Sequence, residues 1–434
     1  MIPEAMKKAT LENDDAGASN RDAGTPQRIR KALLRTFFTG LSWTAAARGL
    51  TVVGTAARYI VFVRLLKPFD FGVIATATMI CSLLLAATDP MMEQALVQLQ
   101  EDIDPYLDTL LTTYFIRSLI LGAMLVAFAR PLGNFFHLGD AYPVFWAMVP
   151  LLILRSIQSP RIALLYRRLD FHLVTLLNVS EVVASFVFGL VAVLYWRDWR
   201  GLVFSVVVGA LVRVIQTYWL FPYWPRPAFS LTHAKAMLSF GLWFSFGTVC
   251  DYVSKQFDIL VVGRLLGPGS LGVYQMALRA GEMPVSEFTM STFQVTFPMV
   301  ARLRTERRAR FRLLRSVSMV VGSVGLIYAV FIFAFGKVVV LHLFGPDWAQ
   351  AVSPLKVLCI YGLLQGFISV GRSFLSGLGK PEKYVIPAAA RALVLAIAIY
   401  PLTVLYGPTG AAGAGVISII VALPIMGYLL QQME

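Results

Sequence analysis

Charge is scarce in this sequence: only 14% of its 434 residues are Asp, Glu, Lys or Arg, against 57% that are apolar. A soluble globular chain carries about 25% charged residues, so water is not the main solvent here. Histidine and cysteine are scarcer still. The four histidines, His137, His172, His233 and His342, form no HExxH pattern, and the three cysteines, Cys81, Cys250 and Cys359, show no CxxC spacing. Neither a disulfide framework nor a zinc site is implied, and the cysteines read as small apolar packing residues. Walker A and GxSxG sequences are also missing; Gly377-Leu-Gly-Lys380 lacks the glycine spacing and the following Ser/Thr of a phosphate-binding loop. No segment between the apolar runs is long enough for a soluble catalytic domain, so the chain reads as a transporter and not an enzyme.

Long apolar runs are what the chain has instead, at a mean hydropathy of +0.70. Stretches of bilayer-crossing length recur from Phe37 onward, at 38–63, 71–98, 107–129, 143–165, 173–196, 201–222, 237–263, 272–300, 316–342, 349–377, 384–406 and 409–431. They show no strand alternation. Their length suits helices, which satisfy every backbone polar group internally, as lipid requires. The expected fold is therefore an all-α polytopic membrane protein with about twelve transmembrane helices. Residues 1–36 have no apolar run and read as a disordered basic tail, too polar for a cleaved signal peptide.

Net charge is +14 with pI ≈ 9.8. In a soluble protein that balance suggests nucleic acid; in a membrane protein it sets orientation, and no nucleic-acid partner is expected. Seven Lys/Arg lie in the tail (Lys7, Lys8, Arg21, Arg28, Arg30, Lys31, Arg35) and seven more in the 302–315 loop. All the loops on the opposite side together hold only Arg64, Lys67, Arg130, Arg197, Arg200, Arg264 and Lys337. The positive-inside rule places both termini in the cytoplasm, as a multi-pass protein of the bacterial inner membrane.

The chain is also duplicated. Residues 58–77 and 258–277 align without a gap, and eight of the twenty pairs are identical, including Arg64/Arg264, Pro68/Pro268 and Gly72/Gly272; Trp43 and Trp243 fall in the same register. Arg ends a helix at headgroup level, Pro cannot continue it, and Gly permits the tight turn into the next helix, so this is one helical hairpin used twice. Six spans separate the copies. An even number makes the repeats parallel, each a six-helix bundle. The expected organisation is a tail at 1–36, one lobe at 37–222, a proline-containing linker at 223–236 and a second lobe at 237–434.

The RLLxPxxxGV hairpin in both halves, the stretch Phe293-Gln-Val-Thr-Phe-Pro-Met299 before an Arg-rich loop, and the six-plus-six plan resemble the Wzx-type polysaccharide flippases. These belong to the multidrug/oligosaccharidyl-lipid/polysaccharide exporter superfamily, and the resemblance covers essentially all of the chain after residue 36. It implies translocation of an undecaprenyl-pyrophosphate-linked oligosaccharide between leaflets by alternating access, driven by H+ or Na+ with no other cofactor. Membrane lipids and a polysaccharide polymerase complex are the implied partners. A drug/cation antiporter of the same superfamily is the nearer alternative, and a membrane-embedded glycan polymerase or transferase a more distant one.

Charges inside the spans are the candidate site, because each costs roughly 2.5–3.5 kcal/mol at a bilayer centre unless it faces water or a partner. Arg48, Arg213, Arg279 and Arg391 lie deepest and could hold a pyrophosphate with their two-donor forks, or pair with acids to fix helix packing. Arg58, Arg117 and Arg155 lie nearer helix ends, where snorkelling competes with a cavity role. Asp251, Lys255 and Asp258, spaced i, i+4 and i+7, form one stripe that is either an ion-pair ladder or an ion-coupling site. Arg279 and Glu282, at i and i+3, invite the same two readings. The predominance of arginine favours an anionic substrate over a cationic drug.

Overall fold

Chain reversals at glycine–proline steps and at short turns divide the molecule into helices. The computed structural model describes residues 54–89, 92, 104–162, 164–165, 171–221, 228–302 and 307–432; of 231–255 it describes the backbone alone. The first bundle comprises α1 (54–65), α2 (Pro68–Thr88), α3 (Asp104–Phe135), α4 (Val144–Ala147 continued by Val149–Ser156), α5 (Phe171–Trp196) and α6 (Trp199–Leu220). The helical run Leu231–Arg302 folds back at Gly267 into α7 and α8. Next come α9 (Arg307–Val339, extended by a π turn over Val340–Phe344) and α10 (Val352–Gly377). Val385–Gln431 folds back at Gly407 into α11 and α12.

Among the described residues these twelve helices form two parallel-repeat bundles of six, and no strand occurs. Eight continuous helical runs are long and apolar enough to span a membrane. Two of these eight are folded pairs, α1 is described only from residue 54, and α4 is interrupted, which accounts for the difference from twelve. The apolar side chains that remain exposed, among them Ile120, Phe128, Val191, Ile327, Ile397 and Leu405, lie on these helices and would face lipid. The expected tail at 1–36 falls outside the described residues. α7 begins at Leu231, within the stretch expected to be linker.

Gly267, Gly345 and Gly407 all have positive φ and each precedes a proline. Proline forces its predecessor out of the helical region, and only glycine then reaches a left-handed φ without strain, so a near-continuous helix can reverse in one residue. In the first repeat Lys67 holds the place of Gly267 with an ordinary extended conformation. Asp70 completes that turn: although only 7% exposed, its carboxylate accepts the Lys67 N–H at 3.3 Å and the Trp199 N–H at 3.0 Å. One buried charge thus caps the N-termini of both α2 and α6, where helix dipoles favour an anion.

The two hairpins interlock. Gly72 packs against the Pro268 carbonyl and Gly272 against the Pro68 carbonyl, with no room for a Cβ at either. Around this contact the arginines of the repeat cross over. Arg64 donates to the His342 carbonyl at the end of α9, while Arg264 donates to the Phe135 carbonyl at 3.0 Å, beside His137, at the end of α3. Each bundle therefore holds the other by the same device, as a two-fold relation demands. Trp348, 1% exposed, seals the junction: its indole N–H donates to Val63 carbonyl at 2.9 Å and its ring meets Phe71 edge-on at 5.3 Å. A single apolar core that includes Phe62, Phe136, Leu271 and Trp348 runs through the joint.

Candidate functional site

Below the interlocked hairpins a cavity of ≈ 760 Å³ opens between the bundles. Thr55, Thr78, Met79 and Ser82 of α1 and α2 form one wall; α7, α8, α10 and α11 supply the charged one. Such a volume falls within the range of about 300–1,000 Å³ found for small-molecule sites.

Two arginines line it in different states. Arg391 is fixed: it donates to Tyr361 hydroxyl at 2.5 Å and to the Gln365 side-chain amide oxygen at 2.8 Å, with its guanidinium 5.5 Å from the Tyr361 ring centroid. Arg279 is exposed to the cavity, makes no hydrogen bond or ion pair among the described residues, and rests 5.8 Å from the Tyr59 ring. A guanidinium that stays charged and has its donors uncommitted can take an incoming anion without breaking a protein bond. Arg391, by contrast, presents Tyr361 and Gln365 in a set orientation.

Asp258, Glu282 and Glu287 also line the cavity. Asp258 is held by Tyr274 hydroxyl at 2.6 Å and by the Ile259 N–H at 2.9 Å. The described lining therefore has three acids to two arginines, and the expectation of a predominantly basic cavity gives way to a mixed one. With Gln256, Gln275 and Gln365, these groups form a dense set of donors and acceptors suited to a hydroxyl-rich ligand.

The other expected site residues sit elsewhere. Arg213 donates to Asn178 at 2.7 Å, Glu181 at 3.0 Å and Gln158 at 3.2 Å, and Arg155 meets the same Glu181 at 2.5 Å. That network ties α4, α5 and α6 inside the first bundle, and neither arginine is among the cavity-lining residues. Arg117 lies 3.5 Å from Asp89 and over the Tyr114 ring. Arg58 donates to Ser185 at 2.6 Å and lines a second, smaller cavity that Arg279 also reaches. Arg48 and the side chains of Asp251 and Lys255 lie outside the described residues.

Sequence reasoning missed Tyr274, Tyr361 and Gln365. Tyr361 and Gln365 carried a usable signal: they are polar at i and i+4 in the otherwise apolar stretch 357–368 and so share one face. Tyr274 carried none, since its value depends on Asp258 across the hairpin.

Two helical bundles closed at one end over a polar cavity define a polytopic membrane transporter rather than an enzyme. Residues 61–353 match the polysaccharide biosynthesis protein family, and the chain belongs to that family. It is 24% identical to the lipopolysaccharide biosynthesis protein WzxC of Escherichia coli (strain K12), over 75% of this chain and 67% of WzxC. It is 26% identical to the succinoglycan biosynthesis transport protein ExoT of Rhizobium meliloti (strain 1021), over 74% of this chain and 65% of ExoT. The matched region thus spans about two thirds of these relatives. Its fold is similar to that of the lipid II flippase MurJ in an inward closed conformation, with TM-score 0.74 and 15% identity over 90% of this chain and 87% of the other. An inward-facing multidrug resistance MATE family transporter of the MOP superfamily has TM-score 0.68 and 16% identity, over 90% and 95% of the two chains.

Proposed function

We propose that this protein is a flippase. It moves an undecaprenyl-pyrophosphate-linked oligosaccharide from the cytoplasmic to the periplasmic leaflet of the inner membrane by alternating access. The observation that carries this reading is Arg279, an uncommitted guanidinium in a cavity whose remaining lining suits sugar hydroxyls. Membership of the polysaccharide biosynthesis protein family and the likeness to WzxC and ExoT support it. Both termini are cytoplasmic and the interlocked hairpins periplasmic, on the strength of the Lys/Arg asymmetry. Transport draws on an H+ or Na+ gradient through the cavity carboxylates, and the product passes to a polysaccharide polymerase.

Deletion of the gene should leave lipid-linked oligosaccharide accumulating in the cytoplasmic leaflet and abolish polymer export, with restoration by the plasmid-borne chain. An unchanged leaflet distribution would overturn the reading.

The three cavity acids favour one second reading, a cation antiporter. That reading requires energised vesicles to accumulate a lipophilic cation such as ethidium in a manner sensitive to Glu282→Gln, and leaves polymer export untouched.

A further inference from the structure

The polar cavity has an apolar neighbour. A second cavity of ≈ 360 Å³ lies between α1, α2 and α6 of the first bundle and α8, α9 and α10 of the second. Its walls include Phe62, Ile74, Val206, Ile332 and Leu355. Thr55, Ala75, Thr78, Gln275, Arg279 and Met283 line both spaces, so the two adjoin. Arg279 thus borders each of them. Arg58, donating to Ser185 at 2.6 Å, is the only other described cation on the apolar side.

An amphiphile has this shape: a polar, hydroxyl-bearing head, an anionic linkage, and an apolar chain. Resting on the flippase reading above, we propose that the smaller cavity is a chain-binding chamber. It takes the phosphate-proximal isoprenoid segment of the substrate while Arg279 and Arg58 bracket the pyrophosphate and the glycan occupies the larger cavity.

Charge complementarity places the linkage. Arg279 borders both the apolar and the polar space and Arg58 lines the apolar one, so cationic donors lie where a diphosphate must sit if head and chain each occupy the space that suits them. The chamber also removes a cost. Drawing the first isoprene units into a polar cavity would expose them to water, whereas the chamber keeps them against carbon until the bundles rock. Chain transfer from lipid to protein gains little by itself, so the chamber acts through shape and close packing.

The test uses the full chain in nanodiscs with undecaprenyl pyrophosphate as the probe. A photoreactive benzoylphenylalanine replaces Tyr328, which lines the chamber, or Phe331, one turn away and outside it. Native mass spectrometry of the unsubstituted protein first establishes whether the probe binds.

Binding with capture at position 328, and capture of bulk phospholipid at 331, is the expected result. Arg279→Ala should lower capture at 328 several-fold. Ala280→Phe, which narrows the chamber, should weaken binding about tenfold, on the scale of overpacking a fitted site. Binding accompanied by phospholipid capture alone at 328, or unaffected by Ala280→Phe in a protein of normal thermal stability, would overturn the chamber and leave the flippase standing. No binding of the probe at all would overturn both.

Discussion

Gly72 and Gly272 occupy each other's hairpins: each lies against the proline carbonyl that opens the other's helix, and the Cβ position of Gly272 is 3.1 Å from the Gly72 amide nitrogen. Close approach without side chains is how membrane helices associate, since lipid offers them no hydrophobic drive. Gly72→Ala or Gly272→Ala should therefore force the hairpins apart at a cost of about 1–3 kcal/mol. A fall in thermal unfolding temperature of the purified protein is the measurement. A neutral outcome for both would mean that the hairpins do not carry the joint.

Arg64 and Arg264 extend that contact outward, each onto a carbonyl at the far bundle's helix end. Removing either deletes a charge-assisted hydrogen bond, about 1.5–3 kcal/mol. Spin labels at Lys67→Cys and Gly269→Cys should then report a longer-distance population several-fold larger in Arg64→Ala or Arg264→Ala. An unchanged distance distribution would show that the crossed arginines do not hold the bundles together.

Arg279 and Arg391 share a cavity and should behave differently on replacement. Arg279→Ala breaks no bond among the described residues, so export should fall at least tenfold while membrane abundance holds. Arg279→Lys should retain partial export, because charge survives and the two-donor fork does not. Arg391→Ala strands Tyr361 and Gln365 and should lower abundance as well as export. Quantitative blotting beside polymer assay separates the two; a proportional fall of export and abundance in Arg279→Ala would make that residue structural.

Arg213 is the opposite case. Its partners Glu181, Asn178 and Gln158 leave it little to offer a substrate. Arg213→Ala should cost about 1.5–3 kcal/mol, moderated by the bond Arg155 keeps to Glu181. Arg213→Ala combined with Glu181→Gln should recover part of the lost abundance. If Arg213→Ala instead abolishes export at full abundance, the first-bundle network is part of the transport path.

Orientation is open to direct labelling. Cysteine at Arg200, on the hairpin side, should react with an impermeant maleimide in intact spheroplasts, and cysteine at Lys380, in the loop between α10 and α11, only after permeabilisation. The reverse pattern would invert the topology.

The sequence by itself determined the solvent, the helix count and the repeat. Apolar runs of bilayer length need no partner to declare themselves, because in lipid each helix satisfies its own backbone. The hairpin repeat was equally legible, since Arg, Pro and Gly at fixed spacing each answer a local demand of a helix reversal. The reason Gly72 and Gly272 must both be glycine was not, for it lies in a contact across 200 residues of chain.

The charges divide in the same way. That arginines lie within the apolar runs is a property of sequence; what each one faces is decided by how the helices rotate against one another. Arg213 and Arg279 look alike in their helices, yet one is turned into its own bundle toward Glu181 and the other into the space between bundles. Helical periodicity could pair Tyr361 with Gln365 but could not bring Arg391 to them. An apolar cavity beside a polar one exists only where six helices from two bundles meet, because enclosure belongs to packing and to no single segment.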